Sequence, residues 1–305
     1  MKVLVATDKP FAKVAVDGIK SVVEEAGYEL ALLEKYGDKS NLLAAVADAD
    51  AIIIRSDVVD AEVLEAAKQL KIVVRAGAGY DNVDLEAATK KGVCVMNTPG
   101  QNSNAVAELA LGLMVYAVRN FYNGTSGTEL KGKKLGIHAY GNVGRNVARI
   151  AKGFGMDILA YDAYCPDEAM LKENVTPVHS ADELYQKSDI VSLHIPATAE
   201  TKNSINYALL KQMPKNAMLV NTARKEVINE PELIQLMQDR PDFRYVTDIM
   251  PAADADFRQF ENRYFATPKK MGAQTAEANI NAGIAAARQI VEYIKNGVTK
   301  FQVNK

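Results

Sequence analysis

The sequence predicts an α/β protein of two domains, each a parallel sheet with helices on both faces. Three observations carry this. Nine short runs rich in Val and Ile recur along the chain, at residues 3–6, 51–54, 72–74, 93–96, 134–138, 157–161, 190–194, 217–221 and 245–249. Short continuous apolar runs are what strands buried on both faces require. Stretches with helical spacing separate them, such as 14–25 and 61–67, and strand–helix alternation builds parallel sheets. The chain has 305 residues, long for one core and comfortable for two.

The first run opens the chain. Met1-Lys2-Val3-Leu4-Val5-Ala6-Thr7-Asp8 reads as a strand, since it lacks the apolar core of a secretion signal. The long apolar segment 106–118 separates the first four runs from the last five and is expected as a helix joining the domains. The segment 276–295, apolar at Ile280, Ile284, Ala285, Ile290 and Ile294, is expected as a helix that returns to cover the first domain. No stretch has the length and hydropathy of a membrane span.

A hydrophobic fraction of 48%, a charged fraction of 24% and a net charge of −2 describe a soluble globular protein. They give no bulk attraction to nucleic acid or to an anionic membrane. The basic spot Lys131-Gly132-Lys133-Lys134 reads as a solvated loop. Cys94 and Cys165, the two cysteines, lack metal-ligand spacing. No metal site is expected, and free thiols in a reducing cytoplasm follow.

The run 134–138 leads straight into Ala139-Tyr140-Gly141-Asn142-Val143-Gly144 and then a helical pattern. A strand, a Gly-rich turn and a helix N-terminus make a pyrophosphate seat: outward N–H groups and the positive end of the helix dipole meet there. Gly141 lets the backbone approach the phosphates, and Gly144 lets the helix pack on the strand. Ala139 holds the first Gly position, so the fingerprint is imperfect. Asp162, at the end of the next strand and 18 residues beyond Gly144, stands close to the ~20 residues expected of a ribose-binding acid. A carboxylate accepts bonds from a ribose 2′-OH and repels a 2′-phosphate, so the cofactor expected of this Rossmann unit is NAD.

Other segments point to a reaction. Asn221-Thr222-Ala223-Arg224, His194-Ile195-Pro196-Ala197-Thr198-Ala199-Glu200-Thr201, Arg75-Ala76-Gly77-Ala78-Gly79-Tyr80, Val106-Ala107-Glu108 and Gly272-Ala273-Gln274-Thr275 together resemble the D-2-hydroxyacid dehydrogenases. The resemblance implies a Rossmann NAD-binding domain over 99–275. It also implies a smaller flavodoxin-like α/β substrate domain over 1–98, completed by 276–305, and a homodimer. By the same resemblance Arg224 is the catalytic arginine that binds the carboxylate and polarises the 2-oxygen. Asp248 contacts the nicotinamide carboxamide. Tyr140 through Val143, Thr222, Ala223, Pro196 and Thr201 complete the cofactor contacts, with His194 flanking the adenine side. Arg55-Ser56 and Arg75 resemble members that act on 3-phosphoglycerate: two arginines at strand ends and a hydroxyl suit a phosphate. The N–H groups of Ala78 and Gly79 would hold the carboxylate.

The chain departs from the family at the proton-transfer pair. The family places a histidine in Thr-Pro-His-x-Gly and a glutamate beside it. Here Thr267-Pro268-Lys269-Lys270-Met271-Gly272 carries one extra residue, so either Lys269 or Lys270 fills the histidine slot. Ala253 takes the glutamate position, with Asp254 one step off. A free lysine, pKa ~10.4, is neutral in about one molecule in two thousand at pH 7. Losing the glutamate therefore suits a lysine base. Ala223-Arg224-Lys225 and Asn229 also differ from the family pattern. The segment before Lys134 is short, the chain has no Trp, and its end at Lys305 leaves no room for a regulatory domain.

The expected activity is NAD-dependent oxidation of 3-phosphoglycerate to 3-phosphohydroxypyruvate, which opens serine biosynthesis. The alternatives are oxidation of another 2-hydroxyacid, reduction of hydroxypyruvate, or a non-catalytic NAD(H)-sensing interaction protein.

Overall fold

Strand β1 (Lys2–Thr7) is buried from Val3 onward, and the first sheet forms around it. It pairs in parallel with β2 (Glu29–Glu34) on one side and β3 (Ala51–Ile54) on the other. With β4 (Ile72–Arg75) and β5 (Cys94–Asn97) the order is β2-β1-β3-β4-β5, all parallel, the flavodoxin-like arrangement. Strand β2 escapes the sequence pattern for a physical reason. As an edge strand it is only half covered, and Glu29 and Glu34 bracket its apolar middle.

The computed structural model describes residues 1–304. They form two compact units: Met1–Asn102 with the segment from Thr275 onward, and Ser103–Gln274. In the first unit the helix Ala276–Asn296 packs on the helix Lys13–Glu25. Small residues bring the two close: a Cβ on Gly18 would lie 2.6 Å from Ile284, and one on Gly283 would lie 3.0 Å from Ile19. Beyond that helix the chain runs back along β5. Val303 N–H donates to the Val95 carbonyl at 2.9 Å, and buried Asn304 bonds both Val93 and Val95.

The second sheet contains β6 (Lys134–His138), β7 (Asp157–Tyr161), β8 (Thr176–Pro177), β9 (Ile190–Leu193), β10 (Met218–Asn221), β11 (Arg244–Thr247) and β12 (Tyr264–Ala266). Its order is β12-β11-β10-β9-β6-β7-β8, again all parallel. The six strands from β8 to β11 reproduce the Rossmann order 3-2-1-4-5-6, and β12 extends it. Strand order reverses between β6 and β9, where ligands sit in open α/β sheets. Strands β8 and β12 are two and three residues long, too short to show a period. The helix Ser103–Val118, expected as a joint between domains, belongs to the second unit. It packs against the helix Asn142–Gly153 and buries Ala107, Ala110, Leu111 and Met114 in that core. Among the described residues no helix is long and apolar enough to cross a membrane.

Candidate active site

The site grows from the carboxyl end of β6. The chain leaves His138 and turns sharply at Ala139, whose φ is +79°. L-residues rarely adopt that region, and glycine adopts it readily. The Ala139 N–H holds the turn by donating to the Tyr161 carbonyl at 2.8 Å. Gly141 caps the helix Asn142–Gly153, whose first-turn N–H groups have no partner within the helix. A Cβ on Gly144 would lie 2.4 Å from the Ala139 carbonyl oxygen, so the turn admits only glycine there. A Cβ on Gly141 would meet nothing within 4 Å, which leaves open space above the N–H groups.

Asp162 is locked in place. One carboxylate oxygen accepts the Tyr140 N–H at 2.7 Å; the other accepts those of Tyr164 at 2.8 Å and Cys165 at 3.0 Å. Tyr140 itself has little left for a ligand. Its N–H is engaged, its ring is buried, and its hydroxyl donates to Glu173 at 2.7 Å. His138 and His194 lie at the ends of adjacent strands. His138 Nδ1 is 3.2 Å from the Tyr185 hydroxyl, and His194 Nε2 is 3.0 Å from the Ser192 hydroxyl. Burial holds both imidazoles neutral, His138 down to about 4 and His194 to about 3. Neither has the pKa of a base poised near neutrality. Thr201 closes the following loop by donating to the Pro196 carbonyl at 2.6 Å.

A second cluster assembles after β10 and β11. Buried Asn221 shapes the turn Thr222-Ala223-Arg224, accepting the Ala223 N–H at 3.0 Å and donating to the Arg224 carbonyl at 3.0 Å. Asp248 is fully buried. One of its oxygens accepts the Gly272 N–H at 2.7 Å. The other, and the hydroxyl of Thr222, are buried without a partner. Burial raises the Asp248 carboxyl, opposed by the Gly272 N–H and by the charges of Lys270 and Arg224. Orphaned buried acceptors are costly, and these two suit the amide of a nicotinamide.

The structure separates the two lysines. Thr267 donates to the Lys269 carbonyl at 2.7 Å; both lysines are exposed, and what separates them is where the Lys270 amine reaches. Lys270 Nζ reaches the Ala223 carbonyl at 2.9 Å, the same oxygen that accepts Arg224 Nη1 at 2.9 Å. Anchors on both sides enforce this: Thr267 N–H bonds the Thr247 carbonyl, and Gly272 bonds Asp248. Ala253, in the glutamate position, gives its N–H to Glu230 at 2.8 Å. Asp254 accepts from Tyr264 and Arg258, so it does not replace the missing acid.

In the first unit Arg55 follows β3 and Arg75 ends β4. Arg55 donates from Nη1 to the carbonyls of Lys9 and Pro10, and from Nη2 to Asn279 at 2.6 Å. Its guanidinium lies 5.1 Å from the Phe11 ring centroid. Arg75 Nε donates to the Arg55 carbonyl at 3.0 Å, so the two arginines and exposed Ser56 share one loop cluster. The N–H groups of Ala78 and Gly79 have no partner among the described residues. Asn97 aims that loop by donating to the Ala78 carbonyl at 2.6 Å.

Residues 113–268 match the NAD binding domain of the D-isomer specific 2-hydroxyacid dehydrogenases. The chain belongs to that family. The NAD+-bound 3-phosphoglycerate dehydrogenase of Entamoeba histolytica is 48% identical, with a TM-score of 0.89 over 100% of this chain and 99% of that one. The D-3-phosphoglycerate dehydrogenase of Methanocaldococcus jannaschii is 35% identical over 94% of this chain, which spans 59% of that protein. Several other curated relatives are spanned by only about half their length. The hydroxypyruvate reductase of Thermotoga maritima is 36% identical over 86% of this chain and 90% of its own.

The segment Thr267-Pro268-Lys269-Lys270-Met271-Gly272 brings the Lys270 amine to the turn that holds Arg224. Three contributors were silent in the sequence. Asn279 bonds Arg55 from the far end of the chain, Glu230 holds the loop at Ala253, and Glu173 bonds Tyr140. Each is a single polar residue far in sequence from the group it serves, so no local spacing could reveal it.

Proposed function

We propose that this protein oxidises D-3-phosphoglycerate to 3-phosphohydroxypyruvate with NAD+, using Lys270 as the base. The observation that carries the reading is the convergence of Lys270 Nζ and Arg224 Nη1 on the Ala223 carbonyl, each at 2.9 Å. It puts an amine and a guanidinium side by side, as removal of a proton from a hydroxyl beside a carboxylate requires.

The dinucleotide would rest on the helix start at Gly141–Gly144. Asp162 would bind the ribose, and Asp248 and Thr222 the carboxamide. Bound NAD+ supplies the hydride acceptor. Arg224 orients the substrate carboxylate and polarises the 2-oxygen. Lys270 takes the hydroxyl proton as the C–H bond breaks with its electron pair, leaving a 2-oxo group. In reverse, Lys270 returns the proton. Arg75, Ser56 and the remaining donors of Arg55 engage the phosphate. The free N–H groups of Ala78 and Gly79 take the carboxylate.

On this reading the first unit is the substrate domain and the second the NAD-binding domain. We place the working protein as a cytoplasmic homodimer serving serine biosynthesis. NADH oxidation should be fastest with 3-phosphohydroxypyruvate among a panel of 2-oxoacids. Hydroxypyruvate is the competing substrate to include, given the Thermotoga maritima relative. Faster turnover of an uncharged-tail oxoacid would remove the phosphate assignment, and no turnover with any would remove the enzyme reading.

A further inference from the structure

A closed ring of side chains joins the glycine turn to the ribose carboxylate. Asp162 accepts the Tyr140 N–H at 2.7 Å, and the Tyr140 hydroxyl donates to Glu173 at 2.7 Å. The other Glu173 oxygen pairs with Arg145. Arg145 lies 4.7 Å from the Tyr140 ring centroid, with Nη2 3.3 Å from Cys165 Sγ. The Cys165 N–H closes the ring on Asp162 at 3.0 Å. Lys152 fixes the Glu173 backbone by bonding its carbonyl.

The ring links the Arg145 guanidinium to Asp162 through a single residue, Cys165, whose Sγ lies 3.3 Å from Nη2 and whose N–H lies 3.0 Å from the carboxylate. An unpaired cation there would draw a 2′-phosphate toward the ribose end and oppose the selection made by Asp162. Glu173 cancels that charge and, through Tyr140, holds the turn that carries Asp162's partner. The pair is too exposed, at 35% and 42%, to matter much for stability. Its consequence is the local field. We infer that Glu173 is a positioning residue that sets coenzyme choice, keeping NAD(H) favoured over NADP(H) by holding Arg145 neutralised. This rests on the dinucleotide reading proposed above.

Titration of NADH and NADPH fluorescence tests it directly, without turnover. Wild type should bind NADH more tightly. E173Q should lower the NADPH/NADH ratio of Kd values about fivefold, a shift of the size expected for one partly exposed charge. E173D keeps the charge and should keep the ratio. E173Q/R145Q should restore it, since the freed cation is gone. A ratio unchanged in E173Q, or one that stays low in the double variant, overturns the role of Glu173. Were E173Q to fail to fold, E173A decides in its place: a ratio lowered about fivefold supports the inference, and an unchanged one overturns it. Wild type binding neither coenzyme would instead remove the dinucleotide reading itself.

Discussion

Gly77 shows how one residue can fix the course of a neighbouring side chain. Its φ is +152°, and a Cβ there would lie 1.5 Å from Arg75 Nη1. The guanidinium passes through the space a side chain would need, so glycine at 77 is a condition for Arg75 at the loop cluster. G77A should cost about 1–3 kcal/mol of stability. It should also raise KM for 3-phosphohydroxypyruvate about tenfold, a loss of about 1.4 kcal/mol of binding. Urea unfolding and steady-state kinetics check the two effects; an unchanged KM would detach Arg75 from the substrate. At this scale the sequence was informative about residue type but not about partner. Arg55 reads as a phosphate ligand from its place after a strand. Only the fold shows three of its contacts going to Lys9, Pro10 and Asn279. The two lysines were likewise indistinguishable in sequence, since one inserted residue shifts both. The anchors at Thr267 and Gly272 separate them.

Among elements, the buried strands were legible because burial on both faces leaves a continuous apolar run, as in β3 and β6. Strand β2 was not, because it forms an edge, and β8 and β12 were not, because two or three residues carry no period. The ends of β6 and β9 also carry a pH dependence. His138 sits between Tyr161 and Tyr185, with ring centroids 5.6 and 5.8 Å away. Burial lowers it to about 4 from an ordinary 6.5, with the charge of Asp162 opposing. A group held neutral in the fold contributes its full stability above the unfolded value, and that contribution falls as pH drops from 6.5 toward 4. The loss should reach ~3 kcal/mol below pH 4. H138Q should flatten the decline in unfolding free energy between pH 6.5 and 4; an equally steep decline would clear His138 of any part in it.

For the whole molecule, the alternation of runs and helices foretold both parallel sheets. The flavodoxin-like strand order became visible only with β2 in place, and the course of the chain along β5 was not foretold. It depends on buried Asn304 bonding Val93 and Val95, a contact across more than two hundred residues. Family membership gives the chain its dehydrogenase architecture, and the residue proposed for proton transfer, Lys270, lies where its sequence departs from the family motif. The most direct measurement is NADH-dependent reduction of 3-phosphohydroxypyruvate by K270A and K269A, with NADH binding measured alongside. K270A should lose about a hundred- to a thousandfold in kcat while still binding NADH, the range for removing a general acid–base group, and K269A should stay within about twofold of wild type. Full activity in K270A, or the large loss falling on K269A, would contradict the assignment.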